Sequence, residues 1–237
     1  MSVRRVESAD ESAAAETCAQ HILTLLGDAV RADGRAALAV SGGSSPKLMF
    51  TRMAAAKFDW RGVHIFWVDE RCVPPTDDAS NYKMVNEYLI QPAGIPDAQV
   101  HRIVGELAPE EAARRYAEEI RAFFGLTGPE LPRFDVVHRG VGPDAHTASL
   151  FPGEPLIDDR TGITAATFAA QFNQWRVTLL PGALLAAQHT VVYAPGSDKA
   201  EALGHIFGEE YDPKKYPSQI GIRDGGEMTW FLTPAKA

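Results

Sequence analysis

Short apolar runs recur along this chain, and a stretch of helical periodicity follows almost every one, which leaves few architectures open to it. Ala36 to Val40, V-H-I-F-W-V from Val63, a short run near Val100 to Val104, the run from Phe134, W-R-V-T-L-L, H-T-V-V-Y-A and M-T-W-F-L read as strands. A first helix is expected from about Ser8 to Arg31, where S-A-D-E has the form of a capping box and Cys18, Ile22, Leu25, Leu26 and Ala29 recur at helical spacing. Further helices are expected after Pro46, over Tyr82 to Ile90 with Ser80 or Asn81 as cap, over Pro109 to Phe124, after Pro181, and in S-D-K-A-E-A-L-G-H-I-F. The alternation predicts an α/β fold with a mostly parallel sheet and helices on both faces. No repeat and no Gly/Pro/Ser-rich linker marks a boundary, so residues 1–237 read as one domain.

In an open parallel sheet, ligands bind beyond the carboxyl ends of the strands. Three polar loops fall at such ends: Ser41 to Ser45, Asp69 to Arg71 and Gly142 to His146. The stretch Phe134 to Gly153 reads as a strand, a Gly-Pro turn and a short helix whose first turn gathers Asp144, His146 and Ser149. Histidine is a residue type able to move protons near neutral pH, and a helix start would add free N–H groups and a positive dipole end. By itself the stretch reads equally well as a helix capped by Asp144 with an ordinary polar histidine.

In S-G-G-S-S-P-K, Gly42 and Gly43 allow backbone N–H groups close approach to an anion, and Ser44 and Ser45 add hydroxyls. The loop has neither the nucleoside-triphosphate nor the dinucleotide spacing, so a small phosphorylated molecule fits it better. Alone it is also a plain tight turn. Asp69, Glu70 and Arg71 set two carboxylates and a guanidinium at the head of a long charged loop, read as a working loop extending to Asn81. Arg176 and Lys199, taken singly, read as solvated charges.

Composition removes other classes. With 23 Lys+Arg against 31 Asp+Glu the net charge is −8, and no basic cluster offers a nucleic-acid surface. Cys18 and Cys72 form no disulfide or zinc spacing, which points to a reduced, cytoplasmic setting. His64, His101, His138, His189 and His205 are scattered without metal-ligand spacing, and no G-x-S-x-G elbow is present. No signal region or bilayer-spanning run appears, so a soluble protein without membrane contact is expected.

Together S-G-G-S-S-P, D-E-R-C-V-P-P-T-D-D-A-S-N, G-P-D-A-H-T-A-S-L-F-P, R-V-T-L and the D-K-A-E-A-L helix, in this order, resemble the 6-phosphogluconolactonase family from about Ala36 to Leu232. The resemblance implies a Rossmann-like α/β fold and hydrolysis of 6-phospho-D-glucono-1,5-lactone to 6-phosphogluconate in the oxidative pentose phosphate pathway. It implies no metal or organic cofactor, and no obligate protein partner is evident. His146 matches the proton-transfer residue, with Asp144 beside it; Gly42, Gly43 and Ser44 match the substrate loop. Arg71, Arg176 and Lys199 match cations attributed to substrate and phosphate, and Asp69 heads the same D-E-R motif.

Two departures from the family pattern stand out. Ala145 occupies a usual glycine, which implies strain if the turn requires positive φ. His138 and Arg139 enter a strand that is usually apolar, so Arg139 is expected to reach a carboxylate or emerge at the strand end. Two alternatives are glucosamine-6-phosphate deaminases, which resemble the chain at several loops but carry Glu where Phe151 stands, and a non-catalytic sugar-phosphate-binding protein.

Overall fold

The computed structural model describes residues 3–234. In chain order the strands are β1 (Val3–Glu7), β2 (Ala36–Val40), β3 (Val63–Trp67), β4 (Asp69–Arg71), β5 (Val100–His101), β6 (Val136–Arg139), β7 (Thr164–Ala169), β8 (Gln174–Leu179), β9 (His189–Ala194) and β10 (Glu227–Leu232). The helices are α1 (Glu11–Asp33), α2 (Lys47–Ala55), α3 (Asn81–Val85), α4 (Gln91–Ala93), α5 (Pro109–Phe124), α6 (Pro181–Leu185) and α7 (Ala200–Ile206).

Seven strands form one sheet in the order β1-β10-β9-β6-β2-β3-β5, and every neighbouring pair is parallel. All of β2 is buried, the reason A-A-L-A-V is an unbroken apolar run rather than an alternating one. In β10, Trp230 meets Phe207 just past α7 at 4.8 Å, whereas the next residue, Phe231, meets His21 of α1 at 5.4 Å. Consecutive strand residues face opposite ways, so α1 and α7 cover opposite faces of the sheet.

From β2 the chain moves outward through β3 to β5, then returns to the other side of β2 with β6 and continues to β9 and β10. The loops after β2 and β6 therefore diverge at a topological switch point and open a crevice between them. A second, antiparallel sheet, β4-β8-β7, stands beside this crevice, because β4 begins one residue after β3 ends. No described helix is long and apolar enough to cross a membrane.

Several sequence expectations are corrected. Asp10, not Ser8, caps α1 by accepting from Ala13 N at 2.8 Å, while Ser8 N donates to Leu232 O at 3.0 Å and extends the β1 edge ladder. Asp69–Arg71, read as the head of a loop, is a strand. The segment after Phe151 contains β7, and the N-terminus contributes β1, neither read from the sequence. Ser80 is the cap of α3, accepting from Lys83 N at 3.1 Å, and the helix widens into a π-helical turn over Asn86–Ile90. No helix forms at 142–149: Ala145 and Ala148 take φ of 64° and 51°, a left-handed backbone that no right-handed helix accommodates.

Candidate active site

Beyond β6 the chain makes a tight turn. Ala145 N donates to Gly142 O at 3.0 Å and Gly142 N to His146 O at 2.9 Å. The carbonyls that a helix would have used go elsewhere: Ser218 N donates to Ala145 O at 2.9 Å and Ser218 Oγ to His146 O at 3.0 Å. The imidazole of His146 lies so close over Gly142 that a Cβ there would stand 2.0 Å from Nδ1, so only glycine permits this placement. Phe151 supports the ring at 4.7 Å. The helix dipole expected at this point is absent, and its place is taken by a carboxylate: His146 Nδ1 is 2.5 Å from Asp144 Oδ1. Burial alone would raise Asp144, but the hydrogen bond and charge of His146, with backbone N–H donors, outweigh it and hold the carboxyl below its ordinary value. An ionised Asp144 accepts the Nδ1 proton, which leaves the lone pair of neutral His146 on Nε2.

The loop after β2 forms the neighbouring edge. Gly43 has φ of 93°, and a Cβ on Gly42 would stand 2.0 Å from Asn81 Oδ1. Asn81, expected only as a helix cap, packs against this loop and anchors it to β4 by donating to Asp69 O at 2.8 Å.

The antiparallel sheet supplies charge. Arg71 of β4 and Arg176 of β8 are direct partners across the ladder. Like charges placed opposite each other destabilise a sheet, so this pair is costly unless an anion lies between or above them. Arg71 Nη1 donates to Ala79 O at 2.5 Å. Arg176 is 5% exposed, sits between the rings of Phe151 and Phe172 at 5.6 and 4.9 Å, and approaches Asp69 Oδ2 at 3.9 Å. Burial lowers its pKa, with Asp69 opposing and Arg71 adding to the shift. Asp69 also accepts from Ser149 Oγ at 2.7 Å, tying β4 to the turn of His146.

Glu70, between them, points away from the cleft and organises its support. It accepts from the backbone N of Arg71, Asn81 and Tyr82, each at 2.7 Å, and from Ser80 Oγ at 3.0 Å.

These elements enclose a cleft of about 410 Å³ lined by Gly42, Gly43, Ser44, Asp69, Arg71, His146, Arg176 and Lys199, the residues singled out from the sequence. Asp144 reaches it only through His146. Lys199, read singly as a solvated charge, is 7% exposed and pairs with Asp198 at 3.1 Å. Arg176 is likewise buried. Sequence reasoning missed Asn81, Phe172, Tyr193 and His138 as part of the wall; only the S-N following the D-E-R loop hinted at Asn81. Among the described residues, four buried polar atoms without a partner within the protein belong to this wall: Arg71 Nε, Asn81 Oδ1, His138 Nε2 and Arg176 Nε. No group of three or more described His, Cys, Asp or Glu residues is arranged to hold a metal ion.

Arg139 takes neither course expected of it. It is 2% exposed and meets no carboxylate; its Nη2 donates to Ile220 O at 2.8 Å, and burial lowers its pKa to about 10. A carbonyl lone pair satisfies part of the guanidinium where the strand end is already covered by the 220–228 segment.

Switch-point crevice, glycine loop and paired cations define the class: an open α/β-sheet protein with a polar ligand cleft at the carboxyl ends of its strands. A family model described as glucosamine-6-phosphate isomerases/6-phosphogluconolactonase matches residues 9–230, and the chain belongs to this family. A 6-phosphogluconolactonase of Synechocystis sp. is 34% identical over 212 residues, covering 89% of this chain and 87% of the relative. One of Homo sapiens is 35% identical over 212 residues, covering 87% and 81%. The crystal structure of a 6-phosphogluconolactonase from Shewanella baltica matches with a TM-score of 0.84 at 28% identity, over 98% of this chain and 97% of that one.

Proposed function

We propose that this protein hydrolyses 6-phospho-D-glucono-1,5-lactone to 6-phosphogluconate, using water activated by His146. The observation that carries the reading is the pair Arg71–Arg176, opposed in one ladder with Lys199 beside the same cleft, facing a histidine whose Nδ1 is held by a carboxylate. Such a cation set suits a phosphate dianion, and its binding energy can orient the ring. His146 Nε2 takes a proton from water as the oxygen attacks the lactone carbonyl. The developing oxyanion meets the glycine loop of Gly42, Gly43 and Ser44. Collapse breaks the bond to the ring oxygen, which receives the proton from His146, and the carboxylic acid then ionises. Asp144 acts through His146, and Asp69 through Arg176 and Asn81. The step needs no metal or organic cofactor, and the 237 residues act as one unit in a cytoplasmic setting.

The deaminase reading lacks its carboxylate: Phe151 packs on His146 and under Arg176, where no proton relay passes. Hydrolysis of the 6-phosphorylated and the unphosphorylated lactone, each corrected for spontaneous opening, tests the proposal. The phosphorylated substrate is expected to be favoured by roughly 10²-fold or more in kcat/KM. Equal efficiency refutes the phosphate site, and no catalysis leaves a binding protein. EDTA is expected to leave the rate unchanged; a loss restored by one divalent ion refutes the metal-free step.

A further inference from the structure

His138 is a polar residue at a fully buried position of the central sheet. It pairs with Val191 across the ladder, is 1% exposed, and stands edge-on to Phe50 at 5.7 Å. Its ring nevertheless forms part of the cleft wall. Nδ1 lies 3.3 Å from the backbone N of Ser41, the first residue beyond β2, and Nε2 is buried without a partner within the protein. An amide can only donate, so Nδ1 accepts and the ring proton sits on Nε2. Desolvation lowers the pKa to about 3, so the ring holds this neutral tautomer throughout the neutral range. It therefore differs from His146, which has a carboxylate partner.

The contact matters because Ser41 is the hinge from which the glycine loop departs. A buried amide with its acceptor removed either loses a hydrogen bond or moves to find water, and the loop moves with it. We infer that His138 is a positioning residue, whose Nδ1 holds the Ser41 amide and thereby fixes the glycine loop against the substrate. The inference rests on the lactonase reading for its kinetic consequence, but its structural part does not.

Three variants separate the two ring nitrogens. His138→Asn keeps an acceptor near the Nδ1 position, His138→Gln carries its polar group out toward Nε2, and His138→Leu removes both in an apolar setting that Leu suits. In the free protein, amide hydrogen exchange over Ser41–Ser45 is expected to speed up by roughly tenfold in the Leu and Gln variants and to return near the wild-type rate in Asn. With the phosphorylated lactone, KM is expected to rise by roughly 5- to 20-fold in Leu, with kcat within about threefold and the acid limb of the pH profile unmoved; Asn recovers most of the loss. Nitrogen NMR of the ring is expected to show the Nε2–H tautomer.

Unchanged loop exchange in His138→Leu overturns the inference, as does recovery by Gln rather than Asn. A collapse of kcat with a shifted acid limb also overturns it, by making His138 a proton-transfer group. If exchange responds as stated while the wild-type protein turns over no lactone, the positioning stands and the proposed function fails.

Discussion

The wall that β2 and β6 give to the cleft is built largely of backbone, whereas the wall that β4 and β8 give is built of charge. On the first, Gly43, Ala145 and Ala148 hold positive φ, Gly42 and Gly142 admit side chains that a Cβ would exclude, and His146 and His138 line the opening. On the second, Arg71 faces Arg176 in a regular ladder, and the buried Glu70 collects four donors behind them. Parallel strands end in loops, which give freedom to shape a turn around a reacting atom. An antiparallel ladder fixes where long side chains start, which suits gripping a charged group at a set distance. Chemistry and recognition are thus expected to be separable by mutation.

The largest effect tests the backbone wall. His146→Ala is expected to lower kcat by roughly 10²- to 10⁴-fold with little change in KM or thermal stability. A protonated imidazole accepts nothing from water, so the proposed step is expected to require the neutral ring. Asp144 holds Nδ1 and with it the tautomer that leaves Nε2 free, so Asp144→Asn is expected to slow turnover. Near-normal turnover of folded His146→Ala in steady-state kinetics would place the base elsewhere.

Next comes the support of the charged wall. In Glu70→Gln the amide NH₂ must face an N–H that now meets an acceptor, and about 2–4 kcal/mol of stability is expected to be lost, measured by urea unfolding. Burial raises the pKa of Glu70, and the backbone donors pull it only partly back. A raised carboxyl binds its proton more readily folded than unfolded, so its effect on stability grows more favourable as pH falls through the folded value. Acid unfolding is therefore expected to persist in Glu70→Gln, since other carboxylates drive it. A smaller effect, confined to recognition, is expected from Arg176→Met. The kcat/KM for the phosphorylated lactone falls roughly 10- to 100-fold and that for the unphosphorylated one holds, while relief of the Arg71 repulsion and loss of the cation beside buried Asp69 act on stability in opposite directions. Equal losses with both lactones would show that the two walls are not separable.

The same contrast governs what could be read from the sequence. Strands β2 and β3 and helix α5 fall where their patterns put them, because burial on both sheet faces and a single apolar helix face both leave periodic traces. D-E-R does not look like a strand, since its ladder is three residues long and its side chains serve a cleft and a network instead of a core. V-R-R-V-E is an edge strand with mostly exposed side chains, so it lacks an apolar signature. The turn at 142–149 has the composition of a helix start, and only its left-handed alanines, invisible in residue type, prevent one. The residues that line the candidate cleft were legible because polar residues at strand ends have few structural duties there. The burial of Arg176 was not, since it depends on Phe172 and on an antiparallel sheet that sequence spacing did not reveal; nor was that of Lys199.

The smallest expected effect concerns Ala145, where a left-handed φ of 64° meets a residue that disfavours it by about 1 kcal/mol. Glycine would relieve that strain, yet the alanine is 2% exposed, and its methyl packs in the cluster of Val141, Val192 and Trp230. Removing a buried methyl costs about 0.8 kcal/mol, and glycine also adds freedom to the unfolded chain. The opposing contributions nearly cancel, so Ala145→Gly is expected to change stability by less than about 0.5 kcal/mol and kcat by less than about threefold. Thermal unfolding and steady-state rates measure both. A gain well above 1 kcal/mol would mean that the methyl contributes nothing and the turn is simply strained. A stable variant with turnover reduced tenfold would instead show that the alanine stiffens the turn beneath His146, making side-chain packing, and not backbone alone, part of the first wall.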